Sequence, residues 1–181
     1  MSEPEIREYA KEKAFHPQTL ARWVAWEQPD RDALYRLAFA LKISENHLRD
    51  LMDWLEEISL RDGLQVRRIL GDGAIAALES DPRLGRADKL KRIKDQIRRW
   101  RYPRLAQTED SIRALIQELR LHPAIRLTVP AGLEGGQLRV EFDASSQDEL
   151  RRLVAKLSEA AGKEAVREIF ALLAGRTSED K

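Results

Sequence analysis

The sequence predicts a mostly α-helical chain with a small α+β C-terminal domain. Through most of the chain, apolar residues recur at three- and four-residue spacing, the period of an amphipathic helix. Leu, Arg, Ala and Glu dominate the composition, and these residues lose little side-chain freedom in a helix. Between residues 125 and 142 the period drops to two, which is the mark of half-buried strands. The expected order is a helix-turn-helix bundle over 1–60, a helical basic linker over 61–104, and a helix–strand–strand–helix domain over 105–181.

From Ile6 to about Leu60 the helical pattern breaks at His16-Pro17, at Gln28-Pro29-Asp30 and at Ile43-Ser44, which predicts several short helices rather than one rod. Gly63, Gly71, Gly73 and Asp81-Pro82 punctuate the next stretch. From Ala87 to Tyr102, Leu90, Ile93, Ile97 and Trp100 form a narrow apolar stripe that Pro103 ends. Thr108 has the chemistry of an N-cap, followed by a helix whose apolar face is Ile112, Leu115, Ile116 and Leu119. Ile125, Leu127 and Val129 then alternate with polar residues. A turn with Gly132, Gly135 and Gly136 leads to a second strand with Leu138, Val140 and Phe142 inward. Ser146 and Glu149 make a capping box for the last helical segment, which Gly162 interrupts. Residues after Gly175 are expected to fray.

Composition narrows the chemistry. No cysteine occurs, so disulfides, thiolate metal sites and thiol catalysis are excluded. Met1-Ser2-Glu3-Pro4 lacks the basic and apolar regions of a signal peptide, and no apolar run reaches bilayer length, so a cytoplasmic protein without membrane contact is expected. Gly71-Asp72-Gly73 lacks the Lys-Ser/Thr of a phosphate loop. His16, His47 and His122 lack metal-ligand spacing, and Glu56-Glu57 carry no acid–base logic. No catalysis, metal or cofactor is expected.

The net charge is only +1, but it is unevenly spread: −4 over residues 1–60, +7 over 61–104 and −2 over 105–181. Residues 83–104 hold ten Lys or Arg against two Asp, a distribution that suits a polyanionic partner such as duplex DNA. Lys91, Lys94, Arg98, Arg99 and Arg101 are the candidate phosphate contacts. The alternatives are a solvated helix face that pairs with the chain's own carboxylates, and an RNA-binding arginine-rich helix with Trp100 and Tyr102 as stacking groups.

Near the start, Ala10 is the small residue that lets two helices cross. Ile6 and Tyr9 lie before it, Ala14 at the turn, Phe15 after it, and Leu20 and Trp23 inward on the second helix. His16, Gln18, Thr19 and Arg22 are then expected to face outward, where Gln pairs with adenine and Arg with guanine. This stretch, with Pro29, Ala33-Leu34, Leu37-Ala38, Leu41-Lys42-Ile43-Ser44, Leu48 and Leu51 downstream, resembles the phage-repressor-like (XRE-type) helix-turn-helix family over residues 5–55. The family's turn glycine is here Ala14, which requires a backbone outside the left-handed region. Leu37-Ala38 to Leu51 also fits the motif, but its outward Glu45, Asp50 and Asp53 would repel phosphate and mark it as support.

Ile125-Arg126-Leu127, Gly136 to Phe142 and Asp148-Glu149-Leu150 to Leu157 resemble the C-terminal dimerisation domain of ParB-type partition proteins. The resemblance implies a homodimer interface of Leu138, Val140, Phe142, Leu150, Leu153 and Leu157, nucleoid association and a partition ATPase as partner. The nucleotide-binding domain of that family has no counterpart here. Two functional expectations result: a homodimeric DNA-binding protein of the partition, nucleoid-associated or transcription-regulating kind, or a protein–protein adaptor with a dimerising tail. An intramolecular hairpin that covers the helical core is the alternative for the tail.

Overall fold

The computed structural model describes residues 3–176, and the chain divides into two compact units, Met1–Tyr102 and Pro103–Lys181. The fold is mostly helical, with a two-stranded antiparallel sheet near the C-terminus followed by helices. The expected fraying falls, from residue 177 on, outside the described residues.

The first unit runs α1 (Glu3–Glu12), α2 (Pro17–Val24), α3 (Gln28–Leu41), α4 (Glu45–Asp62), α5 (Val66–Leu70), α6 (Gly73–Ser80) and α7 (Arg86–Arg101). The breaks coincide with the predicted punctuation, because His16 and Asp72 cap helix starts and Gly63 closes α4 in a left-handed conformation, φ 65°. One core joins these helices: Ile6, Trp23, Leu34, Leu48, Leu55, Ile75, Ile93 and Ile97 are buried in it, with Leu90 and Trp100 packed against it. Region 61–104 is therefore helical as expected but is not a linker. Ile93 and Ile97 of α7 are fully buried in the first unit's core, so the basic helix is one of its walls. A narrow apolar stripe is enough to seat a helix when the neighbours supply the rest of the core.

The second unit runs α8 (Pro103–Glu118), β1 (Arg126–Thr128), a 3-10 turn (Ala131–Gly136), β2 (Arg139–Glu141), α9 (Gln147–Ala161) and α10 (Glu164–Leu173). α8 starts five residues before the expected cap. Pro103 opens it, since a first-turn residue needs no N–H, and the Thr108 hydroxyl donates to the Arg104 carbonyl inside the helix (3.1 Å). The strands pair Leu127 with Val140. In the connecting turn Gly135 and Gly136 have φ 78° and 60°, which side-chain-bearing residues rarely adopt. The capping box at α9 is shifted by one residue. Ser146 Oγ accepts from the Glu149 N–H (3.2 Å), but the Glu149 carboxylate accepts from the N–H and hydroxyl of Ser145 (2.8 and 2.5 Å). Those bonds hold the Glu149 carboxyl below the usual range.

Candidate functional site

The α1–α2 turn is built from its hydrogen bonds outward. Phe15 N–H donates to the Ala10 carbonyl (2.8 Å) and Ala14 N–H to that of Lys11 (3.1 Å), the paired closure of a helix end whose next residue is left-handed. Ala14 has φ 54°, so the backbone does enter the left-handed region, against the expectation from sequence. The closure pattern needs that conformation, and the Phe15 ring, edge-on to Tyr9 at 5.8 Å, helps to hold it. Tyr9 locks the far side. Its hydroxyl lies 2.9 Å from the carbonyl oxygens of both Ala38 and Ile43, tying α1 to the end of α3. Burial, with the neighbouring Glu12 and Tyr35, pushes the Tyr9 hydroxyl up to about 12.

The four residues expected to face outward from α2 divide into two pairs. His16 and Gln18 are exposed, and His16 Nδ1 accepts from the Gln18 N–H (3.2 Å) as the N-cap. Thr19 is not outward: it is 7% exposed, and its hydroxyl donates to Glu45 Oε1 (2.6 Å). The same carboxylate accepts from the His16 N–H (3.0 Å), and these bonds pull the Glu45 carboxyl below its usual range. Arg22 also turns towards α4. It donates to Glu56 through Nε and Nη2 (3.1 and 2.6 Å) and to Asp53 through Nη1 (2.6 Å), and this raises its affinity for its proton. α2 packs against both α1 and α4, and Pro17, Gln18 and Ala21 are exposed on it. Between α2 and α4, His16, Gln18, Thr19, Arg22, Arg49 and Met52 line a groove of about 370 Å³.

No protein-family profile matches this chain. No curated protein and no solved structure matches it either.

The basic helix divides in the same way as α2. Lys91 and Arg92 are exposed and form no ion pair among the described residues. Lys94 is drawn to α4: its ammonium lies 2.7 Å from Asp50 and 3.1 Å from His47 Nδ1, over the Trp54 ring at 5.1 Å. Arg101 forks onto Glu57 of α4, with Nη2 at 2.6 Å from Oε1, and its guanidinium lies 4.8 Å from the Tyr102 ring centre. Arg98 pairs with Asp95 (3.2 Å), and Arg99 is half-buried. The acidic face of α4, expected from sequence as support, is the organising element, and the basic helix pairs in part with the chain's own carboxylates, the alternative given for it. α4 presents Glu45, Asp50, Asp53, Glu56 and Glu57, and it takes cations from α2 on one side and from α7 on the other. Their excess over Lys and Arg within α4 was the available signal.

In the second unit, Leu153 is buried in the unit's own core, and Leu138, Phe142 and Leu157 are half-buried against it. Of the six expected interface residues, Val140 (39% exposed) and Leu150 (44%) remain open, joined on α9 by Val154 (50%). Among the described residues no cluster of His, Cys, Asp or Glu could hold a metal, and no helix is long and apolar enough to cross a membrane.

Proposed function

We propose that this chain is a non-enzymatic, homodimeric DNA-binding protein, a ParB-like partition or nucleoid-associated factor or a transcription regulator. The observation that carries the reading is the locked turn between α1 and α2, which leaves His16 and Gln18 exposed at the start of a helix braced on both sides. A rigid base of this kind lets a helix start enter a major groove, and Gln18 is the residue suited to reading a base there. The exposed Lys91 and Arg92 supply phosphate contacts that do not depend on sequence. Val140, Leu150, Val154 and Phe170 are open apolar residues of the tail, and a second copy is the partner that would cover them. A partition ATPase is the further partner this reading implies.

A second reading, a protein–protein adaptor, is favoured by a specific observation. Lys94 and Arg101, expected to meet phosphate, and Arg22, expected to read guanine, are already engaged by carboxylates of α4. One titration separates the two. The full chain is mixed with labelled random duplex, and with a site selected from genomic fragments, at increasing salt. The DNA reading predicts salt-dependent binding to both and a loss of about 1–3 kcal/mol on the selected site in Gln18→Ala. Absence of binding at low salt selects the adaptor.

A further inference from the structure

A second groove in the first unit has a different chemistry from the one beside α2. Trp26, in the turn between α2 and α3, faces Leu60, Gly63, Leu64 and Val66 around the end of α4, and together they line about 420 Å³. Leu60 is 89% exposed and Leu64 38%, so apolar surface lies open at the groove. The charged side chains lining the groove are all carboxylates: Glu27, Asp30 and Glu56. Arg67 and Arg22 reach Asp30 (3.4 Å) and Glu56 (2.6 Å), but neither lines the groove. Glu27, on the rim, is the most exposed of the three at 75% and pairs with Arg67 only at 4.0 Å. The walls are fixed before any partner arrives. The Trp26 indole N–H donates to Glu56 (2.8 Å), and the Ser59 hydroxyl donates to the Leu64 carbonyl (2.5 Å). Arg61 donates to the last carbonyls of α7, on Trp100 and Arg101 (2.8 and 2.7 Å).

We infer that this groove docks a protein segment that presents a large apolar side chain flanked by Lys or Arg. The apolar floor rewards burial of such a side chain, and the carboxylate rim favours cationic flanks while repelling nucleic-acid phosphate. The inference does not depend on whether the chain binds DNA.

The test is a random peptide library selected on the full-length protein, with the recovered peptides titrated against wild type, Leu60→Ser, Leu64→Ser and Glu27→Lys. Leu60 and Leu64 are open to solvent, so the serine variants should melt like wild type, and thermal melts check this. The expected result is enrichment of peptides with a Leu or aromatic anchor between basic residues. Their affinity should fall about tenfold or more in each serine variant, and Glu27→Lys should also weaken them and flatten their salt dependence. Three results would overturn the inference: no enrichment, recovered peptides without basic flanks, or binding that survives Leu60→Ser. A loss of duplex affinity in Leu60→Ser would also overturn it, assigning the surface to nucleic acid instead.

Discussion

Ala14 occupies a backbone conformation in which a Cβ crowds the following carbonyl, at a cost of about 1–2 kcal/mol for an L-residue. Glycine removes that crowding but loses about 0.5–1 kcal/mol more in conformational freedom on folding. Ala14→Gly should therefore stabilise the first unit by about 0.5–1 kcal/mol, and Ala14→Val should destabilise it, as read by urea unfolding. Tyr9 gives a pH prediction. Its folded-state value, about 12, lies above the ordinary 10.0, so the folded protein holds this proton more tightly than the unfolded chain does. The corresponding stability is fully present below pH 10.0 and is lost as the pH rises towards about 12. Tyr9→Phe should flatten that part of the stability–pH curve. It should also cost about 1–3 kcal/mol at neutral pH, because the Ala38 and Ile43 carbonyls lose their side-chain donor. A curve of the same slope in both proteins would remove Tyr9 as its source.

At the scale of elements, α7 carries cations of two kinds, and they should respond differently to mutation. Lys91 and Arg92 face solvent, so replacing both with Gln should leave the melting temperature unchanged. The DNA reading adds that the salt dependence of duplex binding should flatten by about two units of log–log slope. Lys94 and Arg101 pack over or beside Trp54 and pair with α4. Replacing them with Gln should cost about 1 kcal/mol of stability and change the salt slope little. Equal effects from the two pairs, in melts and anisotropy together, would show that the α4–α7 contacts do not sort the charges. The helices themselves were legible in the sequence. The Pro, Gly and Ser punctuation and the 3.6-residue period act within a few residues, so the breaks at His16-Pro17, Ile43-Ser44 and Gly63 follow from local chemistry. Thr108 misled because its hydroxyl bonds back to Arg104 within the helix as readily as it would cap one.

For the whole molecule, the open apolar residues of the tail predict its association state. Full-length protein should be a dimer by light scattering at micromolar concentration. Val140→Asp or Leu150→Asp should convert it to a folded monomer, because an unpaired charge is tolerated in water and not in an apolar interface. A wild-type monomer would leave the tail's strands and helices as a self-contained cover. The sequence by itself determined the helical class, the two short strands, their inward Leu127 and the buried stripe of Ile93 and Ile97, because each depends on periodicity within a single element. Only the tertiary structure decided that the basic segment belongs to the first unit, that Thr19 and Arg22 face α4, and that Val140 stays open. Those outcomes depend on which faces meet after packing. Lys94 and Asp50 are 44 positions apart in the chain, and no local pattern encodes a pairing that exists only once α4 and α7 lie side by side.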